Sequence, residues 1–278
     1  INIMLIGIVG SEGIVGNAVK FGLQKLGHEV LCHDITLKTK IQDLAKAEIV
    51  FICVPTPAKS DGSCDISIVE SVVEELILKR PVEFFKEQII AVKSTVIPGT
   101  LDKLIERYPY RFNQKFKFAF VPEFLRERCA ITDYTENHDL LLIGTYDDEV
   151  FEKIKKSHGK FPKNVVKVNP KEAEFAKYFN NAFGAMRVVF ANSFYEICQS
   201  QGVDYTQIKN AIVNIRHIPD FYLDVNTTSM RGYAGVCYEK DIPALAKLEE
   251  ETKSEFFRNL IKENNKYLKT VFPGTREK

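Results

Sequence analysis

The stretch that decides the fold reads Ile3-Met4-Leu5-Ile6-Gly7-Ile8-Val9-Gly10-Ser11-Glu12-Gly13-Ile14-Val15-Gly16. Its first seven residues are mostly apolar and predict a buried strand, and the glycines predict a tight turn. An amphipathic segment over residues 17–26 predicts a helix, which Gly27 closes. Residues 29–34 predict a second strand that ends in an acid, Asp34. This order is typical of a parallel α/β unit that binds a nucleotide.

The same pattern predicts which nucleotide is bound. Glycines allow a pyrophosphate to approach closely, and the helix N-terminus offers free N–H groups. Asp34 follows Gly16 by 18 residues, where a carboxylate accepts hydrogen bonds from ribose hydroxyls and repels a 2′-phosphate, so NAD is favoured over NADP. The usual G-x-G-x-x-G spacing is altered, because either Ser11 replaces the first glycine or one residue has been inserted. The predicted NAD-binding residues of this part are Gly10, Gly13, Ile14, Val15, Gly16 and Asp34.

Strands and helices continue to alternate along the first part of the chain. Apolar runs at residues 49–54, 89–93, 118–121, 140–143 and 165–168 predict strands, and residues 66–78 and 100–106 predict helices. The run at 49–54 is apolar without alternation, as in strands that are buried on both faces of a parallel sheet. The predicted fold class is α/β, with a Rossmann-like, mostly parallel sheet.

Polar side chains follow three of these strands. They are Thr56, then Ser94 and Thr95, then Glu123 and Glu127. Each one alone is typical of a helix cap or a solvated loop. Because parallel α/β sheets bind ligands at the carboxyl ends of their strands, the five residues together predict a site.

The second part of the chain has a helical period. Residues 171–201 predict one long helix, and residues 204–213 and 242–268 predict two more. Glu174, Lys177 and Asn181 share one face of the long helix, whose circumference is otherwise largely apolar, as at a buried position or a subunit interface. We therefore expect an NAD-binding domain at residues 1–168 and an α-helical dimerisation domain at residues 169–278.

A second glycine-rich stretch runs from Arg231 to Asp241. Gly232 and Gly235 allow a tight bend, and Cys237 follows. A thiol is a nucleophile only as thiolate, which a nearby cation such as Lys240 favours. The ordinary interpretation of such a cysteine is a small buried hydrophobe.

Composition excludes several classes of function. The 278 residues include 38 basic and 37 acidic side chains, so nothing favours binding to nucleic acid or to an anionic membrane. The chain has no apolar run of 18 residues and no basic start typical of a signal peptide. None of its six cysteines forms a C-x-x-C pair, which argues against a disulfide framework and a zinc site and favours the cytoplasm.

Five motifs in order resemble those of the UDP-glucose/GDP-mannose dehydrogenase family, from the N-terminus to about Lys266. They are Cys53-Val54-Pro55-Thr56-Pro57, Ser94-Thr95-Val96-Ile97-Pro98-Gly99-Thr100, Pro122-Glu123-Phe124-Leu125-Arg126-Glu127, the helical set Ala173, Glu174, Lys177, Tyr178 and Asn181, and Gly232-Tyr233-Ala234-Gly235-Val236-Cys237-Tyr238-Glu239-Lys240-Asp241. The resemblance implies oxidation of a nucleotide-sugar 6-alcohol to the acid with two NAD, by a homodimer that pairs through the long helix. UDP-glucose is the default substrate, with UDP-N-acetylmannosamine or GDP-mannose as alternatives.

The resemblance also implies residue roles. Cys237 would form a thiohemiacetal and then a thioester, and Lys177 with Asn181 would stabilise the oxyanion. Asp241, Thr95 and Glu127 would position water and relay protons, and Glu123 would support the site. The cofactor set gains Val54, Thr56, Ser94, Thr95, Glu127 and Lys240. The substrate set is Glu123, Phe124, Leu125, Arg126, Lys177, Asn181, Gly232, Gly235 and Cys237, with Arg216 as either a phosphate contact or an exposed residue.

Members of the family continue with a second α/β domain that holds much of the nucleotide, and we expect this chain to lack it. Two alternatives remain open. The chain could be an NAD-binding, dimeric but inactive relative that serves as a scaffold or sensor. It could also be a simple two-electron hydroxyacid dehydrogenase, although a single hydride transfer needs no thiol nucleophile such as Cys237.

Overall fold

The computed structural model describes residues 3–81, 83–84, 87–109, 116–227 and 231–268. The chain divides into two compact units, Ile1–Pro57 with Asp65–Lys177, and Ala58–Cys64 with Tyr178–Lys278. The domain limits predicted at 1–168 and 169–278 remain a proposal, and residues 269–278 of the second domain lie outside the described residues.

The first unit is built on a seven-stranded sheet. Its strands are β1 (Leu5–Val9), β2 (Glu29–His33), β3 (Ile49–Ile52), β4 (Gln88–Val92), β5 (Phe116–Phe120), β6 (Leu140–Gly144) and β7 (Asn164–Val168). Their order is β2-β1-β3-β4-β5-β6-β7. Strands β1 to β5 run parallel, whereas β6 pairs antiparallel with β5 and parallel with β7. The predicted Rossmann-like, mostly parallel sheet is therefore confirmed.

Helices cover both faces of this sheet. They are α1 (Ile14–Lys25), α2 (Ser67–Leu78), α3 (Thr100–Arg107), α4 (Ala130–Thr135) and α5 (Asp148–Ser157). Val50 and Ile52 pack in one core with residues of α2 and α3. Ile49 and Phe51 pack in a second core with residues of α1, α4 and α5. Successive side chains of a strand point to opposite faces, so a continuous apolar run is what a strand between two cores requires.

The strand order places the ligand edge of the sheet. The chain passes from β1 to β2 on one side and then returns to β3 on the other side of β1. In such sheets a crevice opens at this reversal, outside the carboxyl ends of the strands. The loops that follow β1, β3, β4 and β5 leave from this same edge because these four strands are parallel.

The second unit is helical. Helix α6 (Pro170–Ser200) begins in the first unit and continues into the second, where α7 (Tyr205–Ile212), α8 (Tyr238–Glu249) and α9 (Phe256–Leu268) follow. The predicted long helix is confirmed. The single helix predicted at 242–268 is wrong, because α8 and α9 are separate. The Glu249 carboxylate accepts the N–H groups of Phe257 and Arg258 and so caps the start of α9. None of the described helices combines the length and the apolar character that a membrane span requires.

Candidate active site

The glycine loop joins β1 to α1 through two close backbone approaches. Gly10 has a φ of +80°, and a Cβ there would lie 2.5 Å from the carbonyl oxygen of Cys53. A Cβ on Gly16 would overlap the carbonyl oxygen of Gly10. Gly10 therefore makes the tight turn and Gly16 the close packing of helix on strand, as the first and third glycines of the usual fingerprint do. The altered spacing is an inserted residue between Gly10 and Gly13, and Ser11 does not replace the first glycine.

The N-terminus of α1 is open to an anion. The N–H groups of Ile14, Val15 and Gly16 have no carbonyl partner within the helix, because the first intrahelical bond runs from Asn17 to Gly13. Gly13 makes no cap with a side chain, and a Cβ there would meet no atom closer than 3.5 Å. These observations fit the pyrophosphate of a dinucleotide.

Glu12 does not oppose a pyrophosphate with a free negative charge. Its carboxylate lies 2.9 Å from the Lys20 ammonium and 3.0 Å from the Ser11 hydroxyl. Hydrogen bonds from Lys20 and Ser11 lower the pKa of Glu12. The carboxylate of the inserted segment is therefore paired with a cation from α1.

Asp34 follows β2 and holds the glycine loop. One carboxylate oxygen accepts the Glu12 N–H at 3.1 Å, and the other accepts the N–H and hydroxyl of Thr36 at 3.0 and 2.9 Å. Burial opposes ionisation, but these hydrogen bonds outweigh it and lower the pKa of Asp34. A carboxylate has about four lone-pair sites, so acceptor capacity remains for a ribose hydroxyl.

The loops after β3 and β4 are tied together. The Ser94 hydroxyl donates to the Val54 carbonyl at 2.7 Å. Thr56 and Thr95 are buried in these loops, with 6% and 8% of their surface exposed. The predicted cofactor residues Val54, Thr56, Ser94 and Thr95 thus belong to one pair of adjoining loops.

A buried ion pair joins the loop after β5 to α6. The Lys177 ammonium donates to the Glu123 carboxylate at 2.8 Å and to the Glu123 carbonyl at 2.7 Å. Their side chains are only 4% and 12% exposed. Burial alone would raise the pKa of Glu123, but the charge of Lys177 and the N–H of Leu125 lower it. Lys177 also lies 5.8 Å from the ring centre of Phe124, which fits a cation–π contact.

The remaining predicted residues of this loop have different surroundings. The Arg126 guanidinium binds both carboxylate oxygens of Asp133, at 2.9 and 2.6 Å, and these bonds lower the pKa of Asp133 to about 2. Arg126 is therefore engaged with helix α4, although its side chain is 43% exposed. Glu127 opens a short 3₁₀ helix and is exposed.

Sequence reasoning missed Lys93 at this edge. The Lys93 ammonium is buried and donates to the Val121 carbonyl at 3.1 Å. Burial lowers its pKa to about 8, although the carboxylate of Glu123 favours its charged form. Burial also raises the pKa of Cys53 to about 12, so that thiol is not a nucleophile at neutral pH. Lys93 ends an ordinary apolar strand, and only its position directly before the predicted Ser94 and Thr95 could have drawn attention to it.

The second unit brings together a second set of predicted residues. The Asn181 amide donates to the Asp241 carboxylate at 2.6 Å, and the Lys240 ammonium donates to the other oxygen of Asp241 at 2.6 Å. Asp241 is fully buried. Cys237 lies at the N-cap of α8, and its carbonyl accepts the Asp241 N–H one turn later. A helix N-terminus stabilises a thiolate.

Cys237 also differs from the other cysteines by its exposure. Cys237 is exposed, whereas the other five cysteines are buried or half-buried. Accessibility together with the helix N-terminus is the environment of a reactive thiol. Cys237 is therefore not the small buried hydrophobe of the ordinary interpretation, and its catalytic role stays a prediction.

The glycines before Cys237 have separate roles. Gly232 has a φ of +77°, and a Cβ there would lie 2.6 Å from the Asn264 side chain, which accepts the N–H of Tyr233. Gly235 has a φ of +91° with no atom within 4 Å of an added Cβ. Gly232 is therefore needed for packing and Gly235 for the turn that leads to Cys237.

Each unit holds some of the predicted site residues. The first unit holds the glycine loop, Asp34, the strand-end loops and the pair of Glu123 with Lys177. The second unit holds Asn181, Gly232, Gly235, Cys237, Lys240 and Asp241, and also Arg216, which is exposed. Within the described ranges, no three His, Cys, Asp or Glu side chains are grouped to bind a metal ion.

Family comparisons match both units. Residues 36–161 match the NAD binding domain of the UDP-glucose/GDP-mannose dehydrogenase family, and residues 171–266 match its central domain. The chain belongs to this family. NAD is the cofactor of the first unit, so the predicted family and cofactor are confirmed. The glycine loop and Asp34 precede the matched residues of the NAD binding domain.

Relatives in this family are similar along much of the chain. UDP-glucose 6-dehydrogenase of Pseudomonas aeruginosa is 32% identical over 218 residues, which cover 76% of this chain and 46% of that protein. UDP-glucose 6-dehydrogenase YwqF of Bacillus subtilis is 27% identical over 302 residues, which cover 94% of this chain and 66% of that protein. The chain thus spans less than two thirds of the length of either relative.

A solved structure shows the same fold. The UDP-glucose dehydrogenase from the hyperthermophilic archaeon Pyrobaculum islandicum superposes with a TM-score of 0.82 at 23% identity. The match covers 95% of this chain and 68% of that one.

Proposed function

We propose that this chain carries the catalytic residues for NAD-dependent oxidation of a nucleotide-sugar 6-alcohol to the uronic acid, with UDP-glucose as the default substrate. The observation that carries this proposal is Cys237, an exposed thiol at the N-terminus of α8. A simple alcohol oxidation needs no such nucleophile, whereas oxidation of an aldehyde to an acid gains from a covalent thioester.

The first oxidation needs a base and a stabilised oxyanion. NAD, when bound, accepts the hydride in each of two successive oxidations. The alcohol proton is transferred to a water molecule that Thr95 and Glu127 position. The Lys177 ammonium stabilises the negative charge that develops on the sugar oxygen. Glu123 fixes the position of Lys177 through the buried ion pair.

The second oxidation uses Cys237. Its sulfur adds to the aldehyde carbon and the carbonyl oxygen takes a proton, which gives a thiohemiacetal. Loss of a hydride and of that proton gives a thioester. Water then adds to the thioester carbon, and the sulfur leaves as the acid forms. Asp241 accepts the proton of the attacking water, and its bonds to Asn181 and Lys240 hold its carboxylate in one orientation.

We also propose that the chain forms a homodimer through α6. We propose a cytoplasmic location as well. Large apolar side chains are exposed on the part of α6 in the second unit: Phe179, Phe183, Phe190, Phe194 and Ile197. Contiguous exposed apolar surface marks an interaction site, and a second copy presents the same face. Six cysteines without a C-x-x-C pair suit a reducing compartment.

The test of the chemistry is the number of NADH formed per sugar. The chain is incubated with NAD and UDP-glucose, and absorbance at 340 nm is compared with that of Cys237→Ser. Two NADH per sugar, with Cys237→Ser blocked after the first oxidation, are expected. One NADH per sugar with no effect of the substitution would support a hydroxyacid dehydrogenase. No turnover with intact NAD binding would support an inactive relative.

The test of the dimer is the mass in solution. Light scattering after gel filtration should give twice the chain mass, and Phe190→Glu should give the monomer. Gln199→Glu adds the same charge at an exposed polar position of α6 and should leave the dimer intact. A monomeric unsubstituted chain would refute the proposal.

A further inference from the structure

Glu174 is a buried carboxylate that the proposed chemistry does not use. It lies near the start of α6 with none of its surface exposed. One oxygen accepts the N–H of Gly99 at 2.5 Å, and the other accepts the N–H of Leu101 at 2.9 Å. These N–H groups lie at the start of α3, where the N-cap residue provides no side-chain bond. A side chain from α6 therefore caps α3 from outside.

The capped segment is the loop that carries predicted site residues. It begins after β4 with Ser94 and Thr95 and ends at Gly99, which has a φ of +90°. Its near end is held by the bond from Ser94 to the Val54 carbonyl. Its far end is held by Glu174. The loop is thus fixed at both ends by buried hydrogen bonds.

The same helix holds a second loop three residues later. Lys177 binds the carboxylate and carbonyl of Glu123 in the loop after β5. Two side chains of opposite charge on one helix face, Glu174 and Lys177, therefore fix the two loops that carry Thr95 and Glu123.

We propose that Glu174 is a positioning residue that fixes the loop of residues 94–99 to α6 and so holds Thr95 in one orientation at the cofactor edge of the sheet. The part of Thr95 in the reaction rests on the proposed function. The attachment of the loop does not.

The attachment depends on the charge of Glu174. An ionised carboxylate accepts with both oxygens, whereas a protonated one makes one oxygen a donor and weakens one of the two bonds. Burial raises the pKa of Glu174 to about 7, against the N–H bonds from Leu101 and Gly99. The other groups that influence it are Asp102 on α3, which disfavours its charge, and Lys171 on α6, which favours it.

Two further titratable side chains, Tyr146 and Glu172, lie near Glu174. Tyr146, which follows β6, donates to Asp102 at 3.0 Å, and Glu172 on α6 accepts the N–H of Asn169. Glu174 and Glu172 both raise the pKa of Tyr146, after burial and Asp102. Neither group donates to Glu174, so its two backbone bonds are the ones that the charge state changes.

The pH dependence has a distinctive sign. The folded pKa is raised above the usual 4.5, so the stability linked to Glu174 is complete below pH 4.5 and is lost as the pH rises through about 7. The attachment of the loop changes in the opposite direction, because it is strongest when Glu174 is ionised. If Glu174 were only a structural buried acid, the loop and the whole fold would both loosen as the pH rises.

The experiment compares the unsubstituted chain, Glu174→Gln and Glu172→Gln between pH 6 and 8.5. Glu172→Gln is the matched control, since it removes the same charge at an exposed position of the same helix. Amide hydrogen exchange at Gly99 and Leu101, corrected for its intrinsic pH dependence, reports the loop. Calorimetry with NAD reports the cofactor edge.

We expect protection at Gly99 and Leu101 in the unsubstituted chain to rise as the pH passes 7. In Glu174→Gln, exchange there should be about tenfold faster or more at pH 8, with no inflection and with weaker NAD binding. Glu172→Gln should behave as the unsubstituted chain does.

Two results would overturn the proposal. One is equal exchange at Gly99 and Leu101 in the two variants across the pH range. The other is uniformly faster exchange throughout the first unit, which would assign Glu174 a general role in stability. Failure of turnover with every nucleotide sugar would count against the proposed function alone, since exchange and NAD binding need no substrate.

Discussion

The substitution Lys177→Met tests the ion pair that joins α6 to the loop after β5. The two side chains are almost fully buried, and methionine retains most of the length and apolar volume of the lysine stem. The substitution removes the ammonium and leaves Glu123 with the N–H of Leu125 at 2.7 Å. The variant therefore isolates the effect of an unpaired buried carboxylate.

The expected loss in the free energy of unfolding follows from the burial of the ion pair. Removing one partner of a buried ion pair destabilises a protein by about 3–5 kcal/mol, mostly because the remaining charge lacks a partner. Exposed pairs contribute about 0–1 kcal/mol. Lys163→Met is the matched control, because its pair with Asp139 is 61% and 77% exposed.

The loss in the free energy of unfolding of Lys177→Met should increase as the pH rises. Burial opposes ionisation of Glu123, but Lys177 lowers its pKa in the unsubstituted chain, so that stability is present above pH 4.5 and is lost as the pH falls through the lowered value. In Lys177→Met, burial dominates and the carboxylate is best tolerated when protonated. The difference between the two chains should therefore be larger at pH 7.5 than at pH 5.

The assay is urea unfolding followed by far-ultraviolet circular dichroism, since the chain has no tryptophan. The double variant Lys177→Met/Glu123→Gln should recover part of the loss, because neither residue of the pair then places a charge in the interior. A loss below about 1 kcal/mol at pH 7.5, as in an exposed pair, or an equal loss at pH 5, would refute this reasoning.

Two further predictions concern the first unit. Gly16→Ala should weaken both folding and NAD binding, because its Cβ would overlap the Gly10 carbonyl. Gly13→Ala should fold normally and weaken NAD binding alone. Thermal unfolding measures the stability of each variant, and calorimetry measures its NAD binding. Burial, with the charge of Lys93, lowers the pKa of His138 to about 4, so stability should be complete above pH 6.5 and fall by up to about 3 kcal/mol as the pH drops to 4. Urea midpoints at pH 7 and 4.5 measure this fall, and a variant His138→Gln with the same fall as the unsubstituted chain would contradict the assignment.

Local patterns were sufficient to predict most of the first unit. The apolar run at Ile49–Ile52 and the glycine turn after β1 depend on residues that are close in sequence. The long helix α6 was predicted for the same reason, since Pro170 and Gly202 limit a clear helical period. Backbone geometry was needed to show that Gly10 keeps its role and that the loop contains an inserted residue.

Long-range partners explain what the sequence did not reveal. Lys93 looks like an ordinary polar residue at the end of a strand, and its partner Val121 is distant in the chain. Glu174 was singled out on the face of the long helix, but its distant partner Gly99 was not predicted. The helix predicted at 242–268 was wrong for a related reason. Glu249 caps α9 through N–H groups eight and nine residues away, and periodicity does not report such a bond.

Several of the bonds that hold the strand-end loops end on the main chain. Lys93, Ser94 and Lys177 donate to carbonyl oxygens, and Glu174 accepts from N–H groups. Every residue type supplies a carbonyl, and every type except proline supplies an N–H. These bonds therefore place no demand of their own on the side chain of the held residue, although Val121 is also buried in the core. A held position on the surface of these loops can therefore change its side chain while the bonds that support the loop stay the same.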